Sequence, residues 1–104
     1  MTDLSKLTAK DFSDAMHKGW EGLRFAKFYF ISKARNHNFT PRNAIACCAV
    51  GAMAKHLKAN PHDVQIAVNK TYKDGLSIVY VSDRAGNKRA AMKAVDAILL
   101  GAKP

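Results

Sequence analysis

Between Gly22 and His62 the sequence contains no acidic residue, although it holds Arg24, Lys27, Lys33, Arg35, Arg42, Lys55 and Lys58. Acid is scarce elsewhere too: Glu21 is the only glutamate, and the remaining acids are aspartates, several of them at expected helix starts. A carboxylate at a helix start serves the free backbone N–H groups there. Scattered, cap-bound aspartates leave no credible pair for general acid–base catalysis. The chain also lacks G-x-G-x-x-G, a P-loop and G-x-S-x-G, the sequences that cradle phosphates or present a nucleophile. Long apolar stretches are missing as well. The longest uncharged one, residues 44–54, is eleven residues, far short of the roughly 20 that span a bilayer, so no membrane partner is expected. The first ten residues are polar and mixed in charge, without the apolar centre of a secretion leader.

Cysteine is limited to the adjacent Cys47 and Cys48. Neighbouring cysteines make a poor disulfide, and a reduced, cytoplasmic setting is expected. With His56 and His62 they match no standard zinc spacing, so neither metal nor cofactor is expected. A nucleophilic Cys48 served by His17, His37 or His56 would need a low thiol pKa, and an apolar neighbourhood raises it instead. These absences together point away from an enzyme.

What is present is positive charge. The 104 residues carry a formal net charge of +9 and a sequence pI of about 9.8, above the value of about 9 that flags nucleic-acid binding. Arg24, Lys27, Lys33, Arg35, Arg42, Lys55 and Lys58 form one cluster. Arg84, Lys88, Arg89 and Lys93 form a second, with no acid between Asp83 and Asp96. Such groups neutralise phosphates and release counterions. The expected partner is the backbone of DNA or RNA, or an acidic protein. Phe25, Phe28 and Tyr29 lie among the first cluster. Aromatics beside cations stack on unpaired bases, anchor a protein partner or form the seam of a homodimer.

The fold expected is a single all-α domain, residues 1–104, of four to five helices. Thr8, Thr40-Pro41 and Asn60-Pro61 each read as a helix cap followed by the first turn. The expected helices cover residues 9–18, 23–36, 41–58 and 88–100. Phe12, Ala15 and Met16 face inward on the first. Ala91, Ala94, Val95, Ile98 and Leu99 do so on the last, which Gly101 ends. Residues 44–54 form a buried centre whose Ala46, Ala49, Gly51 and Ala52 let neighbours approach closely. On the 23–36 helix, Trp20, Leu23, Phe30 and Ala34 share a face that Phe25, Phe28 and Tyr29 do not fit. Residues 64–81 read as helix, with Gly75 past its end. The alternative is an α+β fold with a hairpin over 64–81 turning at Asp74-Gly75. Ser82-Asp83 or Asn87 caps the last helix.

Two segments resemble a known family. Cys48-Ala49-Val50-Gly51-Ala52-Met53, and Gly75 to Asn87 with Ser82-Asp83 before the final helix, are similar to small domains of unknown function from bacteriophages and some bacteria. Those domains show a cysteine before a Gly-Ala step in a central helix and an Asn-Asp motif before the last helix. Here Ser82 stands in the asparagine's place. The resemblance covers residues 40–100. It implies a compact, mostly helical fold, assigns no activity, and suggests a phage protein that acts on host nucleic acid or modulates a host protein.

Overall fold

Thr8 and Asp11 open the first helix by reciprocal capping. The Thr8 hydroxyl accepts from the Asp11 amide, and the Asp11 carboxylate accepts from the Thr8 amide. This arrangement satisfies two of the N–H groups that a helix start leaves open. Helix α1 runs Ala9–Gly19 and buries Phe12, Ala15 and Met16. The structure, a computed structural model, describes residues 3–38, 40–41, 43–72 and 77–101.

After α1 the chain departs from the all-α expectation. Four short strands follow: β1 Arg24–Phe25, β2 Phe30–Ser32, β3 His37–Asn38 and β4 Ala44–Cys47. They form one mixed sheet in the order β1-β4-β2-β3. β1 lies parallel to β4, with Arg24 opposite Ala46 and Phe25 opposite Cys47. β2 lies antiparallel to β4, with Phe30 opposite Cys47. The fold is therefore α+β.

The physical reasons are local. An aromatic run that fits no single helical stripe suits a pleated surface instead. Arg35 and Asn43 have φ of 64° and 58°, left-handed conformations that interrupt a helix. The Pro41 carbonyl accepts from the Ala44 amide at 3.0 Å, so Pro41 opens a turn into β4 and starts no helix. The apolar run 44–54 is divided: its first part is β4, and its second belongs to α2, Ala49–Leu57, with Cys48 as the extended residue between them. A short apolar run fits a buried strand or a buried helix equally well.

The hairpin alternative at 64–81 is corrected as well. Asn60 caps α3, Pro61–Asn69, accepting from the His62 amide at 2.8 Å. The strand-like Ile78-Val79-Tyr80-Val81 opens a further helix, α4, Ile78–Arg84. The turn expected at Asp74-Gly75 lies outside the described residues. Asn87 caps α5, Lys88–Leu100, and Gly101 ends it.

One buried cluster joins these elements around Trp20, Phe12, Phe30, Met16 and Met53. The Trp20 indole N–H donates to the carbonyls of Cys47 (3.1 Å) and Arg24 (3.3 Å), tying the end of α1 to β4 and β1. Two glycines permit the closest approaches. A Cβ on Gly19 would stand 1.7 Å from the Ala52 carbonyl oxygen, and one on Gly51 would stand 1.9 Å from that of Tyr29. α1 therefore crosses α2 backbone to backbone, and the β1–β2 connection rests on α2.

Candidate nucleic-acid interface

The start of α2 organises the surface around it. The amide of Cys48 donates to the Phe28 carbonyl at 2.9 Å. The next amide, of Ala49, donates to the Ser82 hydroxyl at 3.1 Å. Ser82, expected to cap the last helix, instead caps α2 from α4. Consecutive N–H groups thus hold the β1–β2 connection and α4 side by side.

Two contacts link the stretches of chain that carry the two basic clusters. Lys27, on the β1–β2 connection, lies within electrostatic reach of the Asp83 carboxylate, and Arg84 follows Asp83. Lys88, at the start of α5, donates from Nζ to the carbonyls of Trp20 (2.5 Å) and Leu23 (2.9 Å), immediately before Arg24. Lys55 and Lys88 both act electrostatically on Cys47. The links between the two clusters are thus Lys27 with Asp83 and Lys88 with the Trp20 and Leu23 carbonyls.

The remaining candidates are placed differently. Lys33 and Arg35 are exposed on the turn between β2 and β3, beside an open depression of about 700 Å³ lined by Ser32, Lys33, Asn36 and Asn43. Lys58 is the left-handed residue that ends α2. Arg89 and Lys93 are exposed one turn apart on α5. Arg42 lies outside the described residues.

Little acid offsets these cations. Among the described residues, Lys10 is the one lysine or arginine in an ion pair, with Asp14 at 3.2 Å. Asp83 is half-buried, its Oδ1 has no hydrogen-bond partner, and burial raises its carboxyl pKa while Lys27 pulls it back. Lys88 differs from the other cations, because two backbone carbonyls occupy its ammonium. Its charge adds to the field, but its head group is committed to the fold.

The aromatics divide in the same way. Phe25 is half-buried, its ring centroid 6.3 Å from that of Trp20. Tyr29 is half-buried and donates to Gln65 Oε1; burial, then the Cys48 thiol, push its phenol pKa up. Phe28 is 46% exposed. The sequence reading missed Tyr80, which is 49% exposed. The Arg84 guanidinium stands 5.5 Å from its ring centroid, and Nη1 donates to its hydroxyl at 3.2 Å. The four-residue spacing was the available signal, but it has meaning only once 78–84 is read as helix.

The buried thiols are poorly suited to nucleophilic work. Burial pushes Cys48 up to about 11, although the Gly51 and Val50 amides partly offset this. Burial, then the neighbouring Cys48, raises Cys47 further. Both remain protonated at neutral pH. Among the described residues no helix is long and apolar enough to cross a membrane, and no three potential ligands converge as a metal site. Comparison with known protein families, curated proteins and solved structures finds no match.

Proposed function

We propose that this is a non-enzymatic binding protein that contacts the nucleic-acid backbone with low sequence specificity. The observation that supports this reading is how few of its cations have an acidic partner: among the described residues Lys10 alone of the lysines and arginines is ion-paired, and Asp83, the carboxylate near Lys27, is half-buried. A surface of uncompensated charge attracts a polyanion before contact. Backbone contacts of this kind carry no sequence information.

The test is a titration against DNA and RNA at two salt concentrations. Log affinity should fall with log salt at a slope of about −0.9 per phosphate neutralised on duplex DNA. No binding at low salt would sink the proposal. A second reading, favoured by the exposed Phe28 among cations, is an acidic protein docked on the same surface, in keeping with a phage protein that modulates its host. Capture from nuclease-treated lysate that is lost in Phe28→Ala would support it over nucleic acid.

A further inference from the structure

β2 and β4 lose register near one end. Phe30 pairs with Cys47 and Ile31 with Ala46, but Ser32 pairs with Ala44. Ile45 is the extra residue of this β-bulge, and it is 40% exposed. A bulge bends its strand, and bulges recur beside functional sites. The chain around it is pinned. The Lys33 amide donates to the Asn43 carbonyl at 3.2 Å, and the Arg35 amide donates to the Ser32 carbonyl at 2.8 Å. The buried Ser32 hydroxyl accepts from the Asn36 amide at 3.2 Å. The turn after β2 and the entry to β4 are thus laced together. The open depression of about 700 Å³ is lined from the turn by Lys33 and Asn36, from the entry to β4 by Thr40 and Asn43, and by Ile45 at the bulge.

Charge decides what this depression suits. Among the described residues no acid lines it, and the stretch between Gly22 and His62 contains none. Lys33 offers an ammonium, Asn36 and Asn43 offer carboxamide N–H groups, and Thr40 offers a hydroxyl; all four are donors. These side chains are exposed and make no hydrogen bond or ion pair among the described residues. A metal cation would be repelled by the ammonium, and an apolar ligand would leave the donors unpaired. An anion with several acceptor oxygens uses them together. We infer that the depression beside the Ile45 bulge is a seat for a phosphate group, with Lys33 supplying charge and Asn36, Thr40 and Asn43 supplying neutral donors. In the backbone-binding reading above, on which the inference rests, that phosphate belongs to a strand; a free phosphate shares the chemistry.

Asn36→Ala and Asn43→Gly test the seat on the intact protein, because they remove donors and leave the net charge unchanged. Glycine keeps the left-handed backbone of position 43 (φ 58°) accessible. With labelled oligothymidylate at low salt, followed by fluorescence anisotropy, each should bind about fivefold more weakly than the unaltered protein. Lys33→Gln should lower the magnitude of the salt slope by about 0.7. Asn43→Asp guards against misfolding as the cause: it has nearly the same shape and accepts the same backbone conformation, yet its charge opposes phosphate, so it should bind more weakly than Asn43→Gly. In the nitrogen-15-labelled protein the amides of Lys33, Asn36 and Asn43 should shift with oligothymidylate. If they move with inorganic phosphate while no strand binds, the seat stands for free phosphate and the backbone reading falls. Both neutral variants binding like the unaltered protein, or the three amides moving with hexaglutamate and not with oligothymidylate, overturns the seat. Silent variants of a protein that still binds strands with a steep salt dependence leave the backbone reading intact. No response to strand or phosphate overturns both.

Discussion

The α1–α5 face and the junction around α2 treat charge in opposite ways. On the first, Lys10 pairs with Asp14 along α1, and Asp96 of α5 accepts from the buried Ser13 hydroxyl at 2.6 Å and meets His17 Nε2 at 2.7 Å. Asp96 thus joins the two helices through polar contacts. Around the second, Arg24, Lys27, Lys55 and Arg84 form no ion pair, and Asp83, within electrostatic reach of Lys27, is half-buried. The first face resembles an interior seam that reaches the surface. The second is organised like a surface awaiting an opposite charge. Both are rich in charged residues, so composition alone does not separate a structural face from a binding one. The distinction lies in whether each charge already has a partner.

Lys88 tests that distinction most severely, because it belongs to the basic cluster yet behaves like a residue of the first face. Lys88→Met should lower stability by about 2–3 kcal/mol, as expected when charge-assisted hydrogen bonds to part-buried carbonyls are lost. Urea unfolding measures this. Ser13→Ala should cost about 1–2 kcal/mol in the same assay, since Asp96 loses a buried donor.

Lys27→Ala and Arg84→Ala should move stability by less than about 0.5 kcal/mol, while each lowers the magnitude of the salt slope of nucleic-acid binding by about 1. A large stability loss in either would make the junction a second structural face.

The smallest effect is expected at Asp83. Its carboxyl pKa is raised in the folded state, chiefly by burial, so the native protein holds this proton more tightly than the unfolded chain does. The contribution to stability is present below the unfolded value and is lost as pH rises through the folded one. Asp83→Asn should therefore raise the urea midpoint slightly at neutral pH, and the gain should vanish as pH falls through the ordinary carboxylate range.

Helices α1, α3 and α5 were legible because their signals are local. Thr8 with Asp11, Asn60 before Pro61, and Gly101 after Leu100 are read within a few residues. The sheet was not. Arg35 and Asn43 take left-handed conformations without being glycine, and nothing near Cys48 marks the change from strand to helix inside one apolar run. The cations of the candidate surface were legible by type and cluster. What each one does was not, because the partners of Lys88 lie 65 and 68 residues away. Tyr80 was hidden by its β-branched neighbours, which suggested strand where α4 forms. The misfit of Phe25, Phe28 and Tyr29 with one helical stripe was the one sequence sign of the sheet.

The Ser82 hydroxyl reaches the Ala49 amide across 33 positions of chain. An emerging polypeptide therefore completes the sheet strands and the body of α2 before it makes the group that closes the helix's leading end. Until α4 arrives, that end lies open, and the loop carrying Lys27 and Phe28 lacks the neighbour that faces it. The leading end of α2 is thus among the last parts of the fold to be closed during synthesis.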